Sequence, residues 1–369
     1  MSEEIDKIYM RRCLQIAANG RQNARPNPMV GAVIVCNGRI IGEGYHVRCG
    51  EGHAEVNAFA SVRKEDEHLL PQSTIYVSLE PCSHYGKTPP CAKLLVECGF
   101  GKVVVGVRDP FPQVSGRGIA MLRDAGIEVT EGVLEEECRH INRRFFTAHS
   151  KCRPWVLLKW AQSADGFIDA TRAGNFNPAI PAGSRKGTAP AGLCENDPIA
   201  GNSTDTLTVG KPVKFSTPLT TMLMHRERAM VDAILVGANT VALDNPSLTV
   251  RGWSVRRQPL RVVLARHTPI SPDARLLTDG LPTLIYSTDL NAVLADLYHR
   301  GITSLMVEGG ATVLQSFIDA RLYDEVRIET APITLGSGIK APTLPAESVS
   351  LQSHKAYGTN TIDVFSTIA

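Results

Sequence analysis

The chain has 369 residues, of which 43% are apolar and 21% are charged, and its formal net charge is +2. This composition is typical of globular proteins and excludes a disordered chain, a coiled coil and a collagen. At ~100–200 residues per domain, the length predicts two domains, or three. No apolar run approaches the ~20 residues that span a bilayer, and the N-terminal segment lacks the basic-then-apolar order of a secretory signal. We therefore predict a cytoplasmic protein.

The near-neutral charge also argues against a nucleic-acid partner, which usually calls for a basic surface. The nine cysteines are an odd number in a chain too long for a small disulfide scaffold, so most thiols are expected to be reduced. Cys36 and Cys98 lie within apolar runs and are interpreted as core residues. Cys82 and Cys91 differ, because each adjoins a proline and together they flank a polar loop.

The N-terminal part of the chain predicts a layered α/β domain over residues 1–149. It begins with a helix whose predicted apolar stripe is Ile5, Ile8, Tyr9, Cys13 and Ile16. Asn37-Gly38, between two apolar runs, is the signal of a two-residue hairpin turn. After this hairpin, predicted strands alternate with predicted helices, the last of them over 135–147. The polar segment 149–154 ends in a proline and is the predicted linker.

The second predicted domain, over residues 150–369, repeats the α/β pattern from a strand at 155–160. Residues 171–217 interrupt it, since they are rich in Gly, Pro, Ser, Thr and Asn and show no periodicity. A loop this long is uncommon and is usually functional or mobile. A helix is predicted over 218–230, and strands and helices then alternate to a last strand over 361–365.

Three potential metal ligands and a carboxylate occur at predicted element ends of the first domain. His53 precedes a helix, Cys82 follows a strand, and Cys91 begins another helix. One imidazole and two thiolates suit zinc with a fourth position left for water. Glu55 lies two residues from His53 and is better placed as a proton shuttle than as a ligand. The arrangement is that of zinc deaminases, with H-x-E followed by P-C-x-x-C.

The second half of this motif departs from the usual spacing, because eight residues separate the two cysteines instead of two. The intervening loop carries polar residues that could contact a substrate, namely His84, Tyr85, Lys87 and Thr88. The alternative interpretation is a capped helix start with two unrelated core cysteines.

Four segments together resemble the bifunctional deaminase–reductase family of riboflavin biosynthesis. They are Pro26-Asn27-Pro28-Met29-Val30-Gly31, Gly44-Tyr45-His46, His53-Ala54-Glu55 and Glu80-Pro81-Cys82-Ser83-His84-Tyr85-Gly86-Lys87-Thr88-Pro89-Pro90-Cys91. The resemblance covers the chain except for 171–217. It implies a cytidine-deaminase-like three-layer α/β/α domain followed by a dihydrofolate-reductase-like α/β domain.

The resemblance assigns deaminase roles to seven residues. The implied reaction removes the 2-amino group of 2,5-diamino-6-ribosylamino-4(3H)-pyrimidinone 5′-phosphate. His53, Cys82 and Cys91 would bind zinc, and Glu55 would be the acid/base. Asn27, His46 and Lys87 match positions that contact substrate, and an amide such as that of Asn27 offers a pyrimidine both a donor and an acceptor.

The C-terminal half resembles the family's reductase in four segments: 159–166, 225–228, 236–251 and 307–312. The dinucleotide fingerprint G-x-G-x-x-G is absent, whereas Gly309-Gly310 at a strand–helix junction could hold a phosphate through backbone N–H groups. The implied reaction opens the ribose and reduces it to ribityl with NADPH. The implied cofactor contacts are Ala161, Thr240, Asp244, Gly310, Ala311 and Thr312, and the implied substrate contacts are Arg228, Leu248, Arg251 and Glu308.

Lys159 and Glu308 are the candidates for polarising or protonating the sugar oxygen, and Arg266 is a candidate for the 2′-phosphate of NADPH. The family's usual Gly-x-Ser-x-Trp stretch is missing, and counting back from Arg228 puts Lys214 at the place of its tryptophan.

Two other functions remain open from the sequence. One is a zinc deaminase of cytidine, deoxycytidylate or a tRNA base with a C-terminal binding module, and the other is a scaffold with structural zinc. The expected partner is a small pyrimidine ribotide, with no nucleic acid and no membrane. We expect a homo-oligomer, although the sequence does not determine the number of subunits.

Overall fold

The computed structural model describes residues 3–85, 89–111, 115–172, 212–266 and 268–368. The predicted substrate contact Lys87, its neighbour Thr88 and most of the aperiodic segment 171–217 lie outside these ranges. Within them, none of the helices combines the length and apolar character that crossing a bilayer requires.

The N-terminal half is built on a five-stranded sheet with the order β2-β1-β3-β4-β5. Its strands are β1 (Gly31–Cys36), β2 (Arg39–Tyr45), β3 (Thr74–Val77), β4 (Lys102–Val105) and β5 (Glu128–Glu131). The hairpin β1–β2 is antiparallel, and β3, β4 and β5 are parallel to one another. The turn forms at Asn37-Gly38 as predicted, with φ of 50° and 79°. Both values are positive, as a type I′ turn requires.

Helices cover both faces of this sheet, so its central strands are apolar on both sides. They are α1 (Glu3–Ala17), α2 (Ala54–Ala60), α3 (Cys91–Glu97), α4 (Arg117–Asp124), α5 (Glu135–Ile141) and α6 (Arg143–Lys151), with 3-10 turns at Ala18–Gly20 and Lys64–Gln72. Ala32 and Ile34 pack with α2 and α3, whereas Val33 and Val35 pack with α1. The half is the predicted three-layer α/β/α unit.

Three predictions for this half are wrong in part. The single helix expected over 135–147 is broken at Asn142, whose side-chain amide exchanges two hydrogen bonds of 2.8 Å with the backbone of Met29. The segment after it is helical to Lys151, so the expected polar linker begins inside α6. In α1, Ile5 and Ile8 are exposed and the buried face is centred on Asp6, Met10 and Cys13.

The C-terminal half is built on an eight-stranded sheet with the order β10-β9-β8-β11-β6-β12-β15-β14. Its main strands are β6 (Trp155–Ser163), β8 (Ala233–Gly237), β9 (Leu260–Leu264), β10 (Thr283–Tyr286), β11 (Ser304–Val307), β12 (Glu325–Ala331), β14 (Val349–Tyr357) and β15 (Asn360–Thr367). β7 (Phe167–Asp169) and β13 (Ile339–Lys340) form a separate pair. The first six strands of that order are parallel to one another. β15 pairs antiparallel with β12, and β14 pairs antiparallel with β15.

Helices again cover both faces of the larger sheet. They are α7 (Pro218–Ala229), α8 (Ala238–Asp244), α9 (Arg275–Thr278), α10 (Leu290–His299) and α11 (Ala311–Asp319), with a 3-10 turn at Ala346–Ser348. Val156 and Leu158 of β6 face the core formed with α10 and α11, and Leu157 faces the other core. α7 begins with a complete capping box at Thr217 and Thr220, which explains why its start was predictable.

The sequence did not predict α8, α9 or the strands β7, β13 and β14. β14 is mostly exposed and lies at the edge of the sheet, so its residues lack the apolar alternation that marks a half-buried strand. In the parallel part of the sheet, the carboxyl ends of the strands share one edge. Ligand sites of open α/β sheets form at that edge.

Candidate active sites

His53, Cys82 and Cys91 are brought together at the carboxyl edge of the first sheet. His53 is the extended residue before α2, Cys82 lies in the loop after β3, and Cys91 is the first residue of α3. Their ligand atoms all lie within 4.8 Å of one another. His53 Nδ1 is 3.5 Å from Cys82 Sγ and 3.4 Å from Cys91 Sγ.

These spacings fit a tetrahedral zinc ion. With Zn–S of about 2.3 Å and Zn–N of about 2.0–2.1 Å, a sulfur and a nitrogen on one zinc should be ~3.5 Å apart. Hydrogen bonding from Cys91, together with the neighbouring His53, lowers the pKa of Cys82, which favours the thiolate form that zinc binds. The backbone N–H of Cys91 also donates to Cys82 Sγ over 3.2 Å. Three protein ligands are the number expected at a catalytic zinc site, which keeps one position open.

Glu55 adjoins this cluster from the first turn of α2. Its side chain is only 3% exposed and lies within hydrogen-bonding reach of the Cys91 thiol. Burial, reinforced by the Cys82 thiolate, raises the pKa of Glu55 to about 7. The Glu55 carboxyl group therefore lies beside the cluster of His53, Cys82 and Cys91.

Asn27 and His46 form a hydrogen-bonded pair beside the metal ligands. His46 Nδ1 lies 3.1 Å from the carbonyl oxygen of Gly52, to which it can only donate. Its Nε2 must then accept from Asn27 Nδ2, at 3.1 Å. Within the described part of the chain, these bonds leave the Asn27 carbonyl oxygen and one amide hydrogen for a ligand. The His46 ring also meets that of His53 edge-on, with 5.4 Å between centroids.

Glu80 is a buried carboxylate that anchors the Cys82 loop. It accepts from the backbone N–H groups of Asp109, Gly116, Gly118 and Ile119, at 3.0 to 3.4 Å. Glu80 belongs to the sequence motif that contains Cys82, but no role was predicted for it. The sequence signal for this anchoring role is a carboxylate directly before Pro81-Cys82 at a buried strand end, where an unpaired charge would be costly.

In the C-terminal half, Glu308 follows β11 and forms a two-pronged ion pair with Arg228 of α7. Arg228 Nε and Nη2 lie 2.7 and 2.5 Å from the two Glu308 oxygens, and Nη1 donates to the carbonyl of Thr249 over 2.9 Å. Both side chains are 9% exposed. The two residues that were predicted separately as substrate contacts therefore bind each other.

Lys159 lies near this pair on β6. Burial lowers its pKa below that of a free lysine, although Glu308 and Glu329 oppose the shift. Burial acts in the opposite direction on Glu308, but Arg228 outweighs it and the pKa of Glu308 is lowered. Glu308 is thus held as an anion, while the proton on Lys159 is made easier to release.

The loop after α8 carries two further predicted substrate contacts, which differ in accessibility. The Leu248 side chain is 3% exposed within the second core, so only its backbone can face a ligand. Arg251 is exposed, and its backbone N–H donates to His225 Nδ1 over 3.2 Å. His225 therefore helps to hold this loop, a role that the sequence analysis did not assign.

Predicted cofactor contacts meet where α8 faces the Gly309-Gly310 turn. A Cβ at Gly309 would lie 3.0 Å from Thr240 Oγ1, so a larger residue there would push the Thr240 side chain aside. Gly310 has a φ of 73° and precedes α11, whose first residues are Ala311 and Thr312. The turn exposes the backbone N–H groups that begin α11, a suitable cradle for a phosphate. Ala161 lies on β6, opposite Glu329 of β12.

Asp244 does not stand free at this edge, because Arg172 binds it. Arg172 Nη2 lies 2.8 Å from Asp244, and Arg172 Nε lies 2.8 Å from Asp169. Asp169 also accepts from the backbone N–H of Val213 over 3.2 Å. Arg172 falls in the aperiodic segment 171–217, for which the sequence predicted no site residue.

Arg266 borders a cleft of about 390 Å³ beyond the carboxyl end of β9. Its Nε donates to the carbonyl of Thr288 over 3.0 Å, and no other described residue accepts from its remaining guanidinium donors, which are therefore available to a ligand. Lys214, at the place of the missing tryptophan, is exposed, and the next residue, Phe215, is buried. The carbonyl of Phe215 accepts from Asn360 over 3.0 Å.

Comparison with known proteins identifies both halves. Residues 154–362 match the RibD C-terminal domain, and residues 3–107 match the zinc-binding region of cytidine and deoxycytidylate deaminases. The riboflavin biosynthesis protein RibD of Aquifex aeolicus is 34% identical over 372 residues, which cover 95% of this chain and 93% of that protein. The chain belongs to the RibD family.

Other RibD proteins agree along the whole chain. The Bacillus amyloliquefaciens protein is 36% identical, covering 92% of this chain and 88% of its own. The solved structure of Acinetobacter baumannii RibD has a TM-score of 0.79 at 29% identity and covers all of both chains. A Thermotoga maritima structure, described as a diaminohydroxyphosphoribosylaminopyrimidine deaminase and 5-amino-6-(5-phosphoribosylamino)uracil reductase, has a TM-score of 0.78 at 32% identity and covers 99% of both chains.

RibD membership decides between the functions that the sequence left open. The chain is a bifunctional enzyme of riboflavin biosynthesis, with a zinc-dependent deaminase domain and an NADPH-dependent reductase domain. The predicted fold class, enzyme class and cofactors are confirmed. A deaminase with a mere binding module and a structural-zinc scaffold are excluded, because the C-terminal half is itself a RibD reductase domain.

Proposed function

We propose that the N-terminal half hydrolyses the 2-amino group of 2,5-diamino-6-ribosylamino-4(3H)-pyrimidinone 5′-phosphate, and that the C-terminal half then reduces the ribosyl group to ribityl. The observation that carries the first step is the convergence of His53, Cys82 and Cys91 beside the buried Glu55. The Thermotoga relative, described as both a deaminase and a reductase, supports the assignment of the two activities to one chain.

In the deaminase, His53, Cys82 and Cys91 would hold zinc, and Glu55 would move protons. Zinc supplies the Lewis acid that makes water nucleophilic at neutral pH. Glu55 accepts the proton that the attacking water loses and delivers a proton to the departing amine, so ammonia leaves as the carbonyl forms. Asn27, oriented by His46, offers its free amide edge to the pyrimidine, and Lys87 is proposed to contact the same substrate.

In the reductase, Lys159 is the proposed proton donor to the sugar oxygen. NADPH supplies the hydride. Arg228 keeps Glu308 ionised, and Glu308 in turn stabilises the cationic form of Lys159 and can accept a hydrogen bond from a sugar hydroxyl. Arg251, which is exposed in the loop between α8 and β9, is the proposed ligand of the substrate phosphate, with the backbone of Leu248 nearby in the same loop.

The NADPH contacts follow the carboxyl edge of the second sheet. The backbone from Gly310 through Ala311 and Thr312 would hold the cofactor's phosphates, with Thr240 and Ala161 nearby. Asp244 would accept a hydrogen bond from a ribose hydroxyl while it also binds Arg172. Arg266, beside its cleft, is the proposed contact of the 2′-phosphate that distinguishes NADPH from NADH.

The remaining predictions concern organisation. We propose a boundary between the two catalytic domains near residues 149–150, a homo-oligomeric assembly and a cytoplasmic location, without a nucleic-acid or membrane partner. Light scattering of the purified protein measures the assembly.

One assay tests the proposed function. The protein is incubated with the diaminopyrimidine ribotide, with and without NADPH, and ammonia and the ribitylamino product are measured. We expect ammonia in both incubations and the ribityl product only with NADPH. Ammonia release from cytidine or deoxycytidylate, but not from the ribotide, would refute the proposed substrate.

A further inference from the structure

Helix α7 organises the proposed substrate side of the reductase. Arg228 binds Glu308 and the carbonyl of Thr249, and His225 accepts from the backbone N–H of Arg251. Two successive turns of α7 thus hold both Glu308 and the loop that carries Arg251. A small displacement of α7 along its axis would move all of these groups together.

Two arginines of the N-terminal half bind the carboxyl end of this helix. Arg25 Nη2 donates to the carbonyl of Ala229 over 2.9 Å, and Arg144 Nη1 donates to the carbonyl of Met230. Arg25 also pairs with Asp232 at 3.3 Å. The last carbonyls of a helix lack partners within it and carry partial negative charge, so cations there are favourable.

We propose that Arg144, with Arg25, is a positioning residue of the reductase, acting from the deaminase half through the end of α7. This inference rests on the proposed reductase site. It means that the reductase domain takes part of its substrate-binding geometry from the other domain. Neither arginine contacts the reductase residues Glu308, Arg251 or Lys159 in the described structure, so their effect passes through the helix.

Arg143 provides an internal control. It adjoins Arg144 on α6, and both guanidinium groups lie over the Trp155 ring, at 5.3 and 4.7 Å from its centroid. Arg143, however, pairs with Glu325 of β12 at 3.1 Å. The two residues therefore share the interface and a cation–π contact, but Arg144 is the one that binds the end of α7.

The test compares Arg144→Met, Arg144→Lys, Arg143→Met and Arg228→Met in the full-length enzyme. Reduction of already deaminated substrate by NADPH is measured as separate KM and kcat values. Ammonia release and the melting temperature are measured alongside. For Arg144→Met we expect the KM for the pyrimidine substrate to rise about tenfold, as for loss of one charge-assisted contact at a helix end, with kcat within about threefold and deamination unchanged.

Arg144→Lys keeps a cation over Trp155 and at the helix end, so its KM should fall between those of wild type and Arg144→Met, even if the methionine variant folds poorly. Arg143→Met should leave KM within about twofold. An unchanged KM in both Arg144 variants, or an equal rise in Arg143→Met, would overturn the positioning role. Arg228→Met distinguishes failure of the positioning role from failure of the proposed reductase site, because normal reduction by that variant would refute the site itself.

Discussion

Glu55 combines a buried carboxylate with immediate contact to the metal-ligand cluster. An ionised carboxylate at 3% exposure is costly unless it has a partner, and the neighbouring thiolate of Cys82 makes the charge costlier still. A carboxyl group in this position is more stable when it is protonated or when it lies close to a cation. At the scale of single residues, this is the property that a proton shuttle needs.

The first prediction is that Glu55→Gln abolishes deamination while zinc stays bound. Glutamine has nearly the same volume, and all three ligands remain, but the amide cannot accept a proton from water or deliver one. Loss of a positioned acid/base costs ~10²–10⁴ in rate, and because Glu55 serves two transfers we expect the upper end or beyond. Ammonia release and zinc content per chain are the measurements. A rate within tenfold of wild type would rule out the shuttle.

The second prediction is that Cys82→Ser loses zinc and deaminase activity together. Serine lacks the thiolate that Cys91 and His53 stabilise at this position. Cys98→Ser is the matched control, since Cys98 directly follows the helix that Cys91 begins and has no part in the cluster. Metal analysis should give about one zinc per chain for wild type and for the control. A fully loaded Cys82→Ser protein would contradict the ligand assignment.

The third prediction concerns the pH dependence of reduction. If Lys159 donates a proton, the reaction needs its charged form, which exists below its pKa and disappears above it. Burial lowers that pKa, so kcat should begin to fall at a lower pH than an ordinary lysine would give. Lys159→Met should reduce kcat by ~10²–10⁴ and remove this alkaline fall. Persistence of the same fall in Lys159→Met would assign it to another group.

At the scale of elements, α4 packs closely beneath the loop that carries Cys82, one of the three proposed zinc ligands. A Cβ added to Gly118 would lie 2.0 Å from the carbonyl oxygen of Pro81. Glu80 meanwhile binds the N–H groups of Gly118 and Ile119 at the start of the helix. Helix and loop are thus held backbone to backbone, and Cys82 follows directly.

The fourth prediction is that Gly118→Ala destabilises the protein, although alanine usually favours a helix by ~1 kcal/mol over glycine. The contact is with backbone, which cannot move aside without displacing Cys82, and overpacking of this kind costs ~1–3 kcal/mol or more. We expect a net loss of about 1–2 kcal/mol in the free energy of unfolding, together with weaker zinc retention.

Gly101→Ala is the control for this change, because its Cβ would meet a single carbonyl oxygen at 3.2 Å, far from the cysteines' loop. Its effect on zinc should be negligible. Denaturant unfolding and zinc loss to a chelator are the measurements. Equal behaviour of the two variants would show that the close approach of α4 does not support the metal site.

At the scale of the whole molecule, two sheets carry two sites with no residue in common, yet the halves are joined by specific polar contacts. Arg25 reaches Asp232, and Arg143 reaches Glu325. Chemistry at one site should therefore be separable from chemistry at the other, although the junction residue Arg144 is proposed to act on the half that does not carry it.

The fifth prediction is that Glu55→Gln leaves the reduction of deaminated substrate within a few-fold of wild type, and that Arg251→Ala impairs reduction and spares ammonia release. Distant sites that share no partners behave additively. Each variant is assayed with the substrate of each half-reaction. Loss of both reactions in folded Glu55→Gln protein would refute the two-site model.

The sequence by itself determined the features that depend on local chemistry. The Asn37-Gly38 turn, the capped start of α7 and the alternation of strands and helices were predictable, because turn geometry, capping and periodicity act over a few residues. The convergence of His53, Cys82 and Cys91 was predictable because each stands at the end of an element, and element ends meet at one edge of the sheet.

Tertiary structure alone decided which groups pair across the fold. Asp6 is buried in α1 because Tyr76, seventy residues away, donates to it at 2.7 Å, while the more apolar Ile5 and Ile8 stay exposed. Arg228 binds Glu308, Arg172 binds Asp244, and Arg144 caps α7 from the other half. Such pairs leave no periodic trace in the sequence, because the free energy of a buried charge depends on the partner that the completed fold brings to it.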